Sequence, residues 1–154
     1  MLLQTNTEKY KHKHLLAELI KKSDLSILCS GWIKLPGLKD LLPAIDSALE
    51  KGAKIIFYSN LEQTLDGVTE ELASRSALTH HIVDDSKRAL HTKIYYFETG
   101  ERYTAVIGSA NITKGGLDGN EELSVRLGGT KGDQLYHQLH QYLQNLASMK
   151  FVRR

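Results

Sequence analysis

The stretch "LHTKIYYFETGERYTAVIGSAN", Leu90 to Asn111, sets His91 two residues before Lys93 and closes on Gly108, Ser109, Ala110 and Asn111. An imidazole, an ammonium, a hydroxyl and a carboxamide drawn to one spot suit the chemistry of a phosphodiester. A neutral imidazole, with an unperturbed pKa of about 6.5, is a competent nucleophile near neutral pH. A second, protonated imidazole can serve as general acid to the leaving oxygen. Lysine supplies a point charge on the non-bridging oxygens, and the Asn amide and Ser hydroxyl add hydrogen bonds to the same atoms. The scheme requires no metal and no other cofactor. Gly108 and Ala110 are small enough to let backbone approach a phosphate closely.

These groups converge only if the chain places them. Leu90 to Phe97 is predicted as a strand, which puts His91, Lys93, Tyr95 and Phe97 on one side, with imidazole and ammonium about 7 Å apart. An unpaired lysine facing a core would be costly, so this end of the strand must meet a polar site, a partner or solvent. The turn "ETGER" leads to a further strand, "YTAVIG", that delivers Ser109 and then Asn111 at its end. A hairpin of the two strands brings all four groups together.

The rest of the chain reads as an α/β frame around that hairpin. "KYKHKHLLAELIKK" spaces Leu15, Leu16, Leu19 and Ile20 as an amphipathic helix, whose "KHKH" start is either a solvated face or a nucleic-acid contact. "LSILCSGWI" is predicted as a buried strand. "GLKDLLPAIDSALEKGA" is a helix with Leu38, Leu41, Leu42, Ile45 and Leu49 on one side, ended by Gly52, and "KIIFYS" is a second strand. Strand, helix and strand in that order imply a parallel βαβ crossover. A helix at "LEQTLDGVTEELASRS", strands at "THHIV" and "LSVRL", and a last helix at "KGDQLYHQLHQYLQNLASM" complete a mixed sheet flanked by helices. No internal repeat or proline-rich linker divides the 154 residues, so one domain spanning residues 1–154 is expected.

Composition bounds the function. Hydrophobic residues at 41% and charged residues at 25% are globular values, which argue against disorder or a fibrous protein. A net charge of +2 gives no general pull toward a polyanion, so phosphate binding must rest on local clusters. Lys114, just past Asn111, is a candidate backbone-phosphate contact, with Arg102 and Lys131 as weaker ones. Tyr95, Tyr96 and Tyr103 read as packing residues rather than base-stacking ones. Cys29 lies in an apolar run and reads as a core residue. The start turns polar after three residues and no apolar run approaches a membrane span, so a cytoplasmic, reducing compartment with no membrane partner is the expectation.

His-Thr-Lys at 91–93 followed by Gly-Ser-Ala-Asn at 108–111 resembles the HxK…GSxN signature of the phospholipase D superfamily. The downstream "ITKGGLDGNEEL", with Asn120 and Glu122, extends the likeness, and the opening strand and "LLPAIDSALEKGAKIIFYSN" crossover fall in the family's order. The resemblance implies a phospholipase D-like sandwich and a phosphohistidine route. In it His91 is nucleophile or acid, and Lys93 and Asn111 are phosphate ligands. Ser109 is a supporting donor, Asn120 a neighbouring substrate contact, and Glu122 the carboxylate that orients the imidazole. The position of the family's aspartate beyond the lysine holds Glu98 instead, a longer acid that keeps the role or abandons it.

The superfamily's reaction needs two such motifs, and this chain contains one. His80 and His81 have no lysine two residues on, and His137 and His140 lie on the last helix. The resemblance therefore implies a homodimer with one active site at its two-fold axis, and in the small single-motif branch it implies a nuclease acting on DNA. An indiscriminate nuclease would attack its own genome, which suggests restraint within a larger restriction or repair system. The alternatives are a phosphodiesterase for lipid or small substrates, and a non-catalytic DNA-binding or dimerisation module.

Overall fold

The computed structural model describes residues 1–64 and 67–152. A seven-stranded mixed sheet forms the centre, with strands β1 (Leu2–Thr5), β2 (Leu25–Ser30), β3 (Lys54–Asn60), β4 (Leu78–Val83), β5 (Lys93–Thr99), β6 (Arg102–Gly108) and β7 (Leu123–Thr130). Their order across the sheet is β1-β7-β6-β5-β2-β3-β4. Strands β2, β3 and β4 run parallel to one another, and every other pairing is antiparallel. The β2–β3 crossover passes through α2 (Leu35–Glu50), so the predicted βαβ unit is present. The predicted hairpin is present too: β5 and β6 pair from Ile94 opposite Ile107 to Thr99 opposite Arg102, around a turn at Gly100 and Glu101.

Alternation along the strands builds two cores, one on each face. Leu28, Ile55, Phe57, Tyr95, Phe97 and Val106 pack under α1 (His12–Lys22), α2 and the short α3 (Val68–Ala73). Cys29, Tyr58, Ile94, Tyr96, Tyr103 and Ala105 pack under α4 (Gln134–Ala147). Burial pushes the Cys29 thiol up to about 12, while a backbone hydrogen bond at Ile94 works against it. The three tyrosines of β5 and β6 are at most 2% exposed and serve packing, which leaves no face for base stacking.

Several boundaries differ from the sequence reading. The amphipathic helix begins at His12 rather than Lys9, and the crossover helix starts at Leu35, ahead of Gly37. The helix predicted at "LEQTLDGVTEELASRS" is helical only over Val68–Ala73, with Leu65 and Asp66 outside the described residues. β1 and a single π-helical turn, Gly115–Gly119, were not anticipated. β1 pairs with β7, Leu2 opposite Arg126.

The "KHKH" segment is not a free basic face. His12 is fully buried, and Lys11 and Lys13 each reach Asp118 at 2.7 Å, fastening α1 to the π-helical turn. His80 is hydrogen-bonded to Ser59, and His81 stacks on Phe151 and lies beside Tyr58.

Candidate active site

The predicted site residues gather at one edge of the sheet, where β2, β3 and β6 end and β5 and β7 begin. The register sets Ser30 of β2 opposite Lys93 of β5, and Gly108 of β6 opposite Ser124 of β7. The predicted strand at Leu90 is corrected here: β5 begins at Lys93, and His91 stands exposed just before it. The reason is tertiary. Asn60, at the end of β3 and 1% exposed, donates from Nδ2 to the Leu90 carbonyl at 2.7 Å and accepts from the Leu90 amide at 2.8 Å. Those are the two bonds a ladder partner would have made. Gly31 completes the clamp, because a Cβ there would lie 2.3 Å from the Leu90 oxygen. Asn60 and Gly31 are site-positioning residues that the sequence reading passed over; their signal was a polar residue ending the apolar run "KIIFYSN" and a glycine ending "LSILCSG".

Asn111 is anchored in a similar way. The buried Ser30 hydroxyl lies 3.1 Å from Asn111 Oδ1 and 2.7 Å from the Trp32 carbonyl, and it accepts from the Ile112 amide at 3.0 Å. With its oxygen turned to Ser30, the Asn111 amide nitrogen has no partner among the described residues and keeps both donors for a ligand. Tyr95 reinforces the turn by donating from its buried hydroxyl to the Ala110 carbonyl at 2.6 Å. The π-helical turn closes on the same backbone, where a Cβ on Gly116 would come within 2.2 Å of the Asn111 oxygen.

Ser109 Oγ donates to Glu122 Oε1 at 2.5 Å and accepts from the Leu123 amide at 3.1 Å. Ser109 therefore holds the carboxylate, a different task from the free phosphate donor expected of it. Asn111, Lys114, Asn120 and Glu122 line a cleft of about 320 Å3 together with Trp32 and Lys34. Lys114 sits at its rim with its ammonium on Asp40 at 3.2 Å and Asp118 at 3.4 Å, and hydrogen bonding to Asp40 raises its pKa. His91 lines a separate cleft of about 530 Å3 against α4. Among the described residues, no hydrogen bond or ion pair ties the His91 or Lys93 side chain to a partner, and none joins His91 to Glu122.

Beneath the first cleft lies a buried polar relay. His12 Nδ1 is 2.8 Å from Asn6 Oδ1, and His12 Nε2 is 2.8 Å from Ser124 Oγ. Asn6 also donates to the carbonyls of Gly116 at 2.9 Å and Asn120 at 3.1 Å, so β1 and α1 support the Asn120 side of the cleft. Since Asn6 Oδ1 can only accept, the ring carries its proton on Nδ1 and the Ser124 hydroxyl donates to Nε2. Burial lowers the His12 pKa, with the charge of Glu122 opposing the shift.

Glu98, at the position of the family's aspartate, lies far from His91 and Lys93. It stands five residues beyond Lys93 on β5, about 17 Å away at strand rise, opposite Leu25 at the other end of the sheet. Its carboxylate accepts from Tyr96 at 2.8 Å and pairs with Lys131 at 3.3 Å and His140 at 3.2 Å. Burial raises its pKa, but these hydrogen bonds outweigh it and hold the carboxyl below its usual range. Lys131, spent on Glu98, and Arg102, at the hairpin turn, both lie at that far end.

Residues 11–147 match the family profile described as cardiolipin synthase, PLD-like domain. The chain belongs to the phospholipase D superfamily. The solved structures agree on the superfamily's fold. Nuc from Salmonella typhimurium, a phospholipase D family member, is 14% identical with a TM-score of 0.75, and the match covers 99% of each chain. NucT from Helicobacter pylori is 15% identical with a TM-score of 0.71, covering 98% of this chain and 99% of that one. Phosphatidylserine synthase from Haemophilus influenzae is 13% identical with a TM-score of 0.74, but only 39% of its chain is covered. No curated protein sequence matches. Among the described residues, no helix is long and apolar enough to cross a membrane.

Proposed function

We propose that this protein is a metal-independent phosphodiesterase, an endonuclease acting on DNA through a phosphohistidine, with its active site completed across a cytoplasmic homodimer. The observation that carries the reading is the edge itself. Among the described residues, the imidazole of His91, the ammonium of Lys93 and the amide donors of Asn111 have no partner at the end of one hairpin, on a chain with one such motif. One copy also spans 99% of Nuc and of NucT, whereas it spans a minor part of the synthase.

In this reading one His91 imidazole attacks phosphorus and forms a P–N bond, while the leaving oxygen takes a proton from His91 of the partner subunit. That second imidazole then removes a proton from water, whose oxygen attacks phosphorus and breaks the P–N bond. Lys93 and Asn111 hold the non-bridging oxygens as charge builds on them. Because His91 and Glu122 face different clefts within one chain, the orienting carboxylate for each imidazole comes from the other subunit, held there by Ser109. The DNA specificity that such an enzyme needs inside a cell would come from partners in a restriction or repair system.

A second reading, a phosphodiesterase for lipid headgroups, is favoured by the exposed Trp32 and by Pro36 on the wall of the Asn111 cleft, and by the name of the family profile. One experiment separates them: plasmid, single-stranded DNA and phospholipid vesicles are each incubated in excess EDTA with wild type and His91→Ala, and mass is measured by light scattering. DNA cleavage by a wild-type dimer, lost in the variant and accompanied by an acid-labile phosphoprotein in wild type, is the expected result. A monomer, or a dimer that leaves DNA intact, overturns the nuclease reading.

A further inference from the structure

The second cleft contributes only His91 to the chemistry proposed above. Arg88, Thr92, Tyr142, Asn145 and Ser148 line it together with the apolar Leu146 and Met149, and among the described residues no carboxylate lines it. Tyr142 and Thr92 join their hydroxyls across it, fixing α4 to the segment that carries His91. Arg88 is exposed and, among the described residues, has no hydrogen-bond or ion-pair partner. Arg88 is the cation that lines this cleft beside His91, whereas several lysines elsewhere are engaged. Lys11 and Lys13 are spent on Asp118, Lys114 on Asp40 and Asp118, Lys131 on Glu98, and Lys150 on Asp84.

We propose that this cleft is a subsite for the phosphate next to the scissile one on a nucleic-acid strand, with Arg88 as its ligand and Asn145 as an auxiliary donor. The inference rests on the nuclease reading and gives it a polymeric substrate. Arg88 lies three positions before His91, a span of up to about 10 Å. An extended guanidinium there reaches a flanking phosphate and binds it with two parallel hydrogen bonds, which lysine's point charge cannot do. A diester carrying a single phosphate has nothing to put in this subsite. The pocket therefore discriminates by polymer length rather than by chemistry at the scissile bond.

The test is fluorescence anisotropy with a labelled single-stranded oligonucleotide and, separately, a labelled dinucleotide. Both are titrated with full-length His91→Ala, with and without Arg88→Gln, over a range of salt. Arg88→Gln is expected to weaken the oligonucleotide about tenfold and to reduce the slope of log K against log salt by about 0.7, one single-strand phosphate contact. Dinucleotide affinity should stay the same, as should oligonucleotide affinity in Arg102→Gln, whose side chain lies at the far hairpin turn. Equal weakening of both ligands, or no change in affinity and slope, overturns the subsite while the nuclease reading stands on its cleavage assay. A protein that neither binds nor cleaves the oligonucleotide overturns both.

Discussion

Asn60 grips both backbone polar groups of Leu90, at 2.7 and 2.8 Å, and so fixes the peptide from which His91 projects. Asn60→Ala leaves a buried amide and a buried carbonyl without partners, at a cost of about 2–4 kcal/mol. It also frees the imidazole to wander, so turnover should fall at least about tenfold at temperatures where the variant is fully folded. Urea unfolding and single-turnover kinetics measure the two effects separately. A destabilised variant with wild-type turnover would show that the clamp serves the fold alone.

Glu98 makes the opposite prediction. It occupies the position of the superfamily's aspartate yet lies at the far end of β5, bonded to Tyr96, Lys131 and His140. Glu98→Gln should keep the rate of phosphodiester cleavage within about threefold of wild type, a barrier change below about 0.7 kcal/mol. Stability should fall by about 1 kcal/mol. A hundredfold loss of rate in a folded variant would restore Glu98 to the catalytic set.

His12 sets a pH dependence. Burial holds its pKa in the folded protein below the ordinary 6.5. The unfolded chain therefore takes up the proton first, and stability must drop as pH falls below about 6.5, levelling off under the folded pKa. His81 is lowered by burial in the same direction, so the wild-type slope contains both. Each histidine contributes at most about 1.4 kcal/mol per pH unit. Denaturant unfolding between about pH 7.5 and pH 5 should show a shallower slope for His12→Gln than for wild type; identical slopes would mean that His12 titrates normally.

Cys29 should be silent. Its thiol is fully buried and held near 12 by burial, so almost none is thiolate at neutral pH. Iodoacetamide is expected to label it only as fast as the protein unfolds, and completely in denaturant. Rapid labelling of native protein would contradict the α4-side core described for it.

Where local pattern and tertiary structure agree, the sequence was readable. The β5–β6 hairpin has alternation on both arms and a glycine in its turn. The β2–α2–β3 crossover has an apolar strand, a helix with one leucine-rich side, and a second apolar strand. What was illegible depends on partners far along the chain. "LLQT" becomes a strand only because β7 lies beside it, and "GGLDG" coils because Asn6, Lys11 and Lys13 hold it. The overlong strand at Leu90 has the same origin: alternation continues through His91, but Asn60 has already taken the backbone bonds that a neighbouring strand would need. Site residues were identified by type and order. Their tasks were not, as Ser109 illustrates by holding Glu122.

The pairing of β1 with β7 joins Thr5 to Leu123, and through Asn6 and His12 it secures Gly116, Asn120 and Ser124. Ser30, Asn60 and Leu90 belong to three further stretches of chain. A ribosome releases these pieces one after another, and domains fold as units only once their parts have emerged. The first segment must therefore wait for almost the last before the polar edge exists. During synthesis the growing polypeptide carries His91 and Lys93 without that edge around them, and under the proposed function the sheet must be complete before a second copy can join it.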